Sequence, residues 1–388
     1  MIYVMNEFSE REKMIPITKP FFDEEEIAML KQCLKSGWVT QGPLTQEFER
    51  EFCKFQETEY SVAVSSCTAA LHIAVMALGI KAGDEVIVPA FTWITSASCV
   101  EYVGATVRFV DVEKETMNID PDKIRQAITT KTRAIIAVHL FGNPAKMDDI
   151  MQIAREYNLY VIEDCACAIG TEYKGKKVGT IGDIGCFSFH PRKAITTGEG
   201  GMCSTNNNDL YLKMLQLRNH GASVIKRSLN FGKPYDMGVY DALGYNLRLS
   251  DIQAAVGVAQ FKKIGWLLED RKRCADYYIN QLKCCDLFLL PKADSLSKHT
   301  YQSFVVILNS GEKKQRNCIM EKMRENDIQS RPGTIAICRT EYNKNKYHLQ
   351  DGDYPIAEEC EDLSITLPIY PNMSNREMDA VIKSIILE

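Results

Sequence analysis

No apolar run in the chain approaches the roughly 20 residues that a membrane-spanning helix needs, so no membrane partner is expected. The N-terminus, MIYVMNEFSEREK, carries Glu7, Glu10 and Glu12 where an export signal would place its apolar segment. A cytoplasmic protein is the expectation. A basic excess is also missing, since 46 Lys and Arg stand against 51 Asp and Glu, a net charge of −5. Holding nucleic acid by counterion release requires a basic stripe, so no nucleic-acid partner is expected. The short basic clusters, Lys174 to Lys177 and Arg271 to Arg273, have acids nearby and read as solvated faces. Low-complexity tracts and repeats of fixed period are absent, and paired C-x-x-C knuckles are absent too. The 14 cysteines therefore read as reduced thiols, mostly small hydrophobes in apolar stretches. Cys165-Ala-Cys167 and Cys284–Cys285 have no second ligand pair at zinc-finger spacing, so no metal is expected.

What is present is a chain of 388 residues, 45% hydrophobic and 25% charged. That is enough for two or three packed layers plus a smaller domain, and it excludes disorder as the main description. Between residues 60 and 190, short β-branched runs alternate with helix-length amphipathic segments. Strands are expected at 61–65, 85–89, 106–112, 133–141 and from Tyr160 into Glu163–Asp164, with helices at 68–79, 96–103 and 147–157. Two further short strands, 185–189 and 201–205, close the unit. The alternation predicts an α/β fold with a mostly parallel sheet and helices on both faces. A helical stretch over 250–282, broken near Gly265, leads out of it. From about Leu287 fewer, shorter elements, including a strand over 303–308, predict a smaller C-terminal α/β domain.

Ligands of parallel sheets bind at the carboxyl ends of the strands, where helix N-termini hold anions. Four features fall there. Ser65-Ser66-Cys67-Thr68-Ala69-Ala70 joins a strand to a helix and can cradle a phosphate, although an ordinary N-cap accounts for the same residues. Asp164 ends a buried strand and needs a partner: a metal, a salt bridge or a protonated heterocycle. Lys193 lies in a short linker before glycines; an enclosed lysine loses its proton readily and can form a Schiff base, whereas a loop lysine is more often simply solvated. Trp93 follows a strand and either packs in the core or stacks on a flat ring. Together, a phosphate cradle, a stacking surface, an acid and a lysine at one sheet edge are what pyridoxal 5'-phosphate requires.

The motifs Ile15-Pro16-Ile17-Thr18-Lys19-Pro20, Ser36-Gly37-Trp38-Val39-Thr40-Gln41-Gly42-Pro43, Phe48-Glu49 and Ser66-Cys67-Thr68-Ala69-Ala70-Leu71 follow one another in order. They continue with Glu163-Asp164-Cys165-Ala166, Phe187 through Lys193 to Gly201, Arg218-Asn219-His220-Gly221, Leu243-Gly244-Tyr245-Asn246 with Arg248, and Leu367-Pro368-Ile369-Tyr370. In these the chain resembles the fold-type I, pyridoxal-phosphate-dependent nucleotide-sugar aminotransferases of the StrS/DegT type. The resemblance implies a large cofactor-binding domain with a seven-stranded-type sheet over 15–270, a small C-terminal domain over 271–388, and an extension over 1–14. It implies Lys193 as the lysine of the internal aldimine and Asp164 as partner of the pyridine nitrogen. It implies Trp93 stacked on the ring, with Thr68, the Ala69 backbone and Ser188 on the phosphate. Asn246 matches an asparagine that reaches the cofactor phosphate of the neighbouring subunit, which implies a homodimer with shared active sites.

Two positions depart from the family pattern. Cys167 stands beside the cofactor's phenolic oxygen where His or Gln is usual, and is a weaker hydrogen-bond partner. In the small domain, Ile328-Gln329-Ser330-Arg331-Pro332-Gly333-Thr334-Ile335-Ala336-Ile337-Cys338 replaces a His-containing segment near the substrate. Arg331 there either holds a substrate phosphate or is an ordinary surface or salt-bridge arginine. Retention of Lys193 points away from the 3-dehydratase branch, where histidine replaces it. The implied activity is transfer of an amino group, from L-glutamate, to a nucleotide-linked keto-sugar in polysaccharide biosynthesis. A keto-cyclitol or small ketose phosphate as acceptor, or a catalytically silent regulatory homologue, are the alternatives.

Overall fold

The computed structural model describes residues 14–224 and 238–386, so the expected extension lies, apart from Met14, outside the described residues. Helix α1 (Glu24–Ser36) starts in a capping box between Asp23 and Glu26 and stops at Gly37, whose φ of 72° suits a residue without a Cβ. Helix α2 (Pro43–Gln56) has no cap of its own. Its first turn is satisfied by Asp251, which accepts from the N–H groups of Gly42, Leu44 and Thr45 at 2.8, 3.0 and 2.9 Å. A carboxylate at that helix end also meets the positive end of the dipole.

Seven strands form the central sheet: β1 (Tyr60–Val64), β2 (Glu85–Pro89), β4 (Thr106–Val110), β5 (Thr132–Val138), β6 (Tyr160–Asp164), β7 (Ile184–Ser188) and β8 (Gly201–Thr205). The spatial order is β1-β8-β7-β6-β5-β2-β4, and only β8 runs against the others. A two-residue strand, β3 (Phe91–Thr92), leaves the sheet just after β2. Because side chains alternate along a strand, each one feeds two cores. Val62, Val64, Val86, Val88 and Ile162 pack on one face, while Ala63, Ile87 and Val161 pack on the other.

Helices α3 (Cys67–Ala77), α4 (Thr95–Glu101), α5 (Pro121–Ala127), α6 (Met147–Tyr157), α7 (Asn208–Arg218), α8 (Asp251–Lys262) and α9 (Ile264–Leu282) connect or cover these strands. The expected break near Gly265 falls instead at Lys263, between α8 and α9, where the ammonium is held by Asp23 at 2.6 Å and Glu26 at 3.0 Å. The strand expected to run to Phe141 ends at Val138, and Leu140–Gly142 forms a tight turn with Phe141 at φ 59°.

A second, antiparallel sheet joins β9 (Phe288–Leu289), β10 (Phe304–Leu308) and β12 (Ser364–Leu367), with α10 (Lys313–Glu325), α11 (Pro355–Leu363) and α12 (Asn375–Ile385) packed around it. Strand β11 (Ile335–Ala336) pairs with β3, which brings the Arg331 segment onto the edge of the central sheet. Residues 15–17 run beside the second sheet, through Ile15 paired with Ile328 and the Ile369 N–H on the Ile17 carbonyl at 3.1 Å. No helix among the described residues is long and apolar enough to cross a membrane, and all 14 cysteines are free thiols.

Candidate active site

The carboxyl ends of β1, β2, β6 and β7 meet around a cavity of about 250 Å³. Its wall includes Thr68, Trp93, Asp164, Cys167, Ser188 and Lys193, six of the eight residues singled out from the sequence. The other two lie apart. The Ala69 N–H donates to Ser66 Oγ at 3.1 Å, so Ser66 caps α3, as the plain reading of that motif has it. Asn246 lies outside this cavity, in a short bridge with Asn219.

Asp164 is buried and ends β6 with its carboxylate at the cavity wall. Oδ2 accepts from Ser96 Oγ at 2.8 Å and Oδ1 from the Ala166 N–H at 3.1 Å. Ser96 is itself 3.1 Å from Thr92 Oγ1. Burial pushes the Asp164 carboxyl above its ordinary range, and the bonds from Ser96 and Ala166 only partly offset this. The carboxylate thus has neutral donors and no ion pair among the described residues. Lys193 projects from the turn after β7, with Nζ 3.2 Å from Cys167 Sγ. Trp93 is 53% exposed, a platform open to the cavity and not a core residue.

The end of the cavity at the head of α3 is built by close backbone approach. A Cβ on Gly201 would lie 2.5 Å from the carbonyl of Ser66 and 2.7 Å from the Cys67 nitrogen, so only glycine lets β8 start against the head of α3. The residues present therefore fit pyridoxal phosphate: hydroxyls and a helix N-terminus for the phosphate, an aromatic face for the ring, a carboxylate lacking a cation for the protonated nitrogen, and a primary amine.

Behind Asp164 lies a closed network. Glu163 accepts four hydrogen bonds: from Gly179 N–H (2.7 Å), Ile181 N–H (2.8 Å), Gly182 N–H (2.6 Å) and His139 Nε2 (3.0 Å). His139 Nδ1 accepts from the Ala145 N–H at 3.0 Å, which leaves the proton on Nε2. Donor atoms of His139, Glu163 and Cys165 lie within 4.8 Å of one another, close enough for a metal. Yet the four partners of Glu163 and the two of His139 fill the lone pairs a metal would need.

The sequence reading is corrected at Arg271. This residue is not on a solvated face but 1% exposed. It shares a stripe with Leu267, Leu268, Cys274, Ala275 and Tyr278, all buried, and that helical spacing was the overlooked signal. Its guanidinium donates to the carbonyls of Gln302 and Ile369 at 3.2 Å and of Lys193 at 3.5 Å, and burial pushes its pKa down to about 10. Gln302 Nε2 adds a bond to the Arg192 carbonyl at 2.7 Å. The Lys193 turn is thus gripped by α9 and by the segment just before β10. Ser96, Gln302 and Arg192 were also missed, and no local pattern marks them, because each acts through a contact far along the chain.

The chain belongs to the DegT/DnrJ/EryC1/StrS aminotransferase family, which matches it over residues 20–386. It is 37% identical to GDP-perosamine synthase of Escherichia coli O157:H7 over 96% of this chain and 98% of that protein. It is 34% identical to the spore coat polysaccharide biosynthesis protein SpsC of Bacillus subtilis (strain 168), over 97% of each. Spr1654 of Streptococcus pneumoniae, solved in PLP and PMP forms, superposes with TM-scores of 0.89 and 0.90 at 29% identity, over 96% of this chain and 97–98% of that one. The protein is a pyridoxal-phosphate-dependent sugar aminotransferase.

Proposed function

We propose that the protein transfers an amino group from L-glutamate to a keto-sugar carried on a nucleotide. The observation that carries the chemistry is one cavity holding both a buried carboxylate with no cationic partner among the described residues and the Lys193 amine. The similarity to GDP-perosamine synthase supports the nucleotide-linked acceptor.

Thr68, the α3 N-terminus with Ala69, and Ser188 would hold the cofactor phosphate, and Trp93 would offer its face to the ring. Asp164, whose ionised form burial disfavours and a facing cation restores, would keep a proton on the ring nitrogen. Bound pyridoxal phosphate supplies a carbonyl that exchanges amines and a ring that takes up an electron pair. Lys193 Nζ removes the proton from the donor Cα and, in the second half-reaction, returns one to the sugar carbon, as a general base held at close range. Cys167, in contact with Lys193, would stand beside the ring oxygen. Asn246 serves the cavity of a second copy in a homodimer; the exposure of Tyr240 and Leu243 on the same segment, outside its own chain's cavity, supports this.

The test is a single turnover. Holoenzyme is converted with L-glutamate, freed of donor and mixed with a nucleotide-linked 4-keto-6-deoxy sugar. Return of the starting absorbance is expected. Conversion by glutamate without return would remove the nucleotide-sugar acceptor and leave the transamination chemistry standing.

A further inference from the structure

We propose that Cys167 and Lys193 form a peroxide-sensitive modification site, at which hydrogen peroxide closes a sulfenamide bond between Sγ and Nζ and so blocks the amine. The linkage rests on the contact between the two side chains, and its consequence for cofactor loading rests on the role given to Lys193 above.

The fold brings the pair together through adjacent strands. β6 and β7 are parallel neighbours, so the turns that follow them leave the same edge of the sheet. Cys167 sits in the first turn and Lys193 in the second. Each turn is tied down by its backbone. The Cys165 N–H donates to the Cys186 carbonyl at 2.8 Å and the Ala168 N–H to the Cys165 carbonyl at 2.9 Å. In the second turn the Lys193 N–H donates to the His190 carbonyl at 2.9 Å, and Arg271 reaches the Lys193 carbonyl at 3.5 Å. With both backbones held, Nζ lies 3.2 Å from Sγ. The rotatable lysine stem supplies the remaining approach.

The surroundings single out this thiol. Among the described residues Cys67 and Cys167 line the cavity, but only Cys167 is in hydrogen-bond contact with a lysine amine. Desolvation, and then the charge of Asp164, push the Cys67 thiol well above its ordinary range, so it stays protonated. Cys165 and Cys186 are buried outside the cavity wall, and burial does the same to them. The thiolate is the form that attacks a peroxide, and an amine in contact can take the thiol's proton. Cys167 is half-buried on the wall of a cavity of about 250 Å³, which admits a molecule as small as hydrogen peroxide.

Cys167 Sγ attacks one oxygen of the peroxide. An S–O bond forms, the O–O bond breaks, and the thiol proton leaves with the second oxygen as water; sulfur gives up an electron pair and the peroxide takes it. The lone pair of neutral Nζ then attacks Sγ. An S–N bond forms, the S–O bond breaks, and the hydroxyl departs with an amine proton as water. Capture by the amine keeps Cys167 short of the irreversible sulfinic stage. A small thiol reverses the linkage: it attacks Sγ, the S–N bond breaks, and Nζ takes the thiol's proton. A second thiol molecule then frees Cys167 from the mixed disulfide. An amine already tied to the cofactor cannot take part, so the site is open when Lys193 is free.

The experiment uses the full chain, cofactor-free, as wild type, Cys167→Ser and Cys67→Ser, together with wild type preloaded with pyridoxal phosphate. Each is exposed to hydrogen peroxide, quenched with catalase, digested without reductant and mapped by mass spectrometry. Pyridoxal phosphate uptake is read by absorbance before and after dithiothreitol, each protein against its own untreated sample.

A peptide joining Cys167 to Lys193, lighter than its parts by a pair of hydrogens, is expected in the wild type and in Cys67→Ser. It should be missing from Cys167→Ser and from preloaded protein. Cofactor uptake should be lost as the link forms and return with dithiothreitol. A sulfenic or sulfinic acid on Cys167 beside a free Lys193 would overturn the proposal, as would a Cys67–Cys167 disulfide or an untouched Cys167. The link formed with cofactor uptake unimpaired, or formed equally in preloaded protein, would uphold the site and overturn the role given to Lys193.

Discussion

Glu163 and Asp164 end the same strand, are both buried, and through the alternation of the pleat serve opposite faces of the sheet. Glu163 receives four hydrogen bonds and faces loop 179–182 and His139. Asp164 receives two from neutral donors and faces a cavity. A buried charge whose partners are all supplied by the fold holds the architecture. One whose partners fall short is kept for something that arrives from solvent.

The comparison breaks most sharply at Lys193. Lys193→Ala is expected to lower transamination about 10⁴-fold with the thermal unfolding transition retained; single-turnover absorbance with glutamate checks it, and a protein that still transaminates would remove Lys193 from its role.

The paired acids should then separate in kind. Asp164→Asn is expected to cost about 10³-fold in turnover while raising the melting temperature of cofactor-free protein at neutral pH. The sign follows from its raised folded-state pKa. The ionised form is disfavoured in the fold, so this group's contribution to stability falls as pH rises past the unfolded carboxyl value near 3.9. The advantage of the Asn variant should therefore vanish in acid and grow towards neutrality. Glu163→Gln should do the reverse, losing about 3 kcal/mol in denaturant unfolding with or without cofactor, and changing turnover per folded molecule little.

The two buried histidines sharpen the same point. His139 has both ring nitrogens engaged in its network. His299 accepts from the Tyr301 N–H at 2.9 Å, stacks on the Tyr301 ring, and is held down to about 3 by burial. It stays neutral in the fold while the unfolded chain takes up a proton near 6.5. Its contribution is whole above that value and is lost as pH falls from there towards 3. By pH 5 this amounts to about 2 kcal/mol, and His299→Gln should flatten that part of the stability profile. At the head of α3, Gly201→Ala should cost about 1–3 kcal/mol, since the added Cβ meets backbone atoms of Ser66 and Cys67, and the displaced head of α3 should raise the Kd for pyridoxal phosphate.

Much of the fold was legible along the chain. Helix 147–157 and strands 85–89 and 201–205 fall where periodicity and turn residues put them, and the two-face alternation of β2, β5 and β6 follows from runs of Val, Ile and Ala. The motif residues Thr68, Trp93, Asp164, Ser188 and Lys193 could be picked out because each sits at a strand end or helix start, positions that local sequence marks. Arg271 was misread because a charged triplet looks solvated until its helical phase is followed. Ser96 and Gln302 were not legible at all, since their roles are contacts to residues 68 and 110 positions away, respectively to Asp164 and Arg192.

The sequence by itself determined the elements, their order and the residues able to do chemistry, because propensity, capping and hydrophobic period act within a few residues. Which acid became closed architecture and which stayed open to a ligand was decided only by the tertiary structure. Compensation of a buried charge depends on what distant segments bring to it, as loop 179–182 does for Glu163, and as no cation among the described residues does for Asp164.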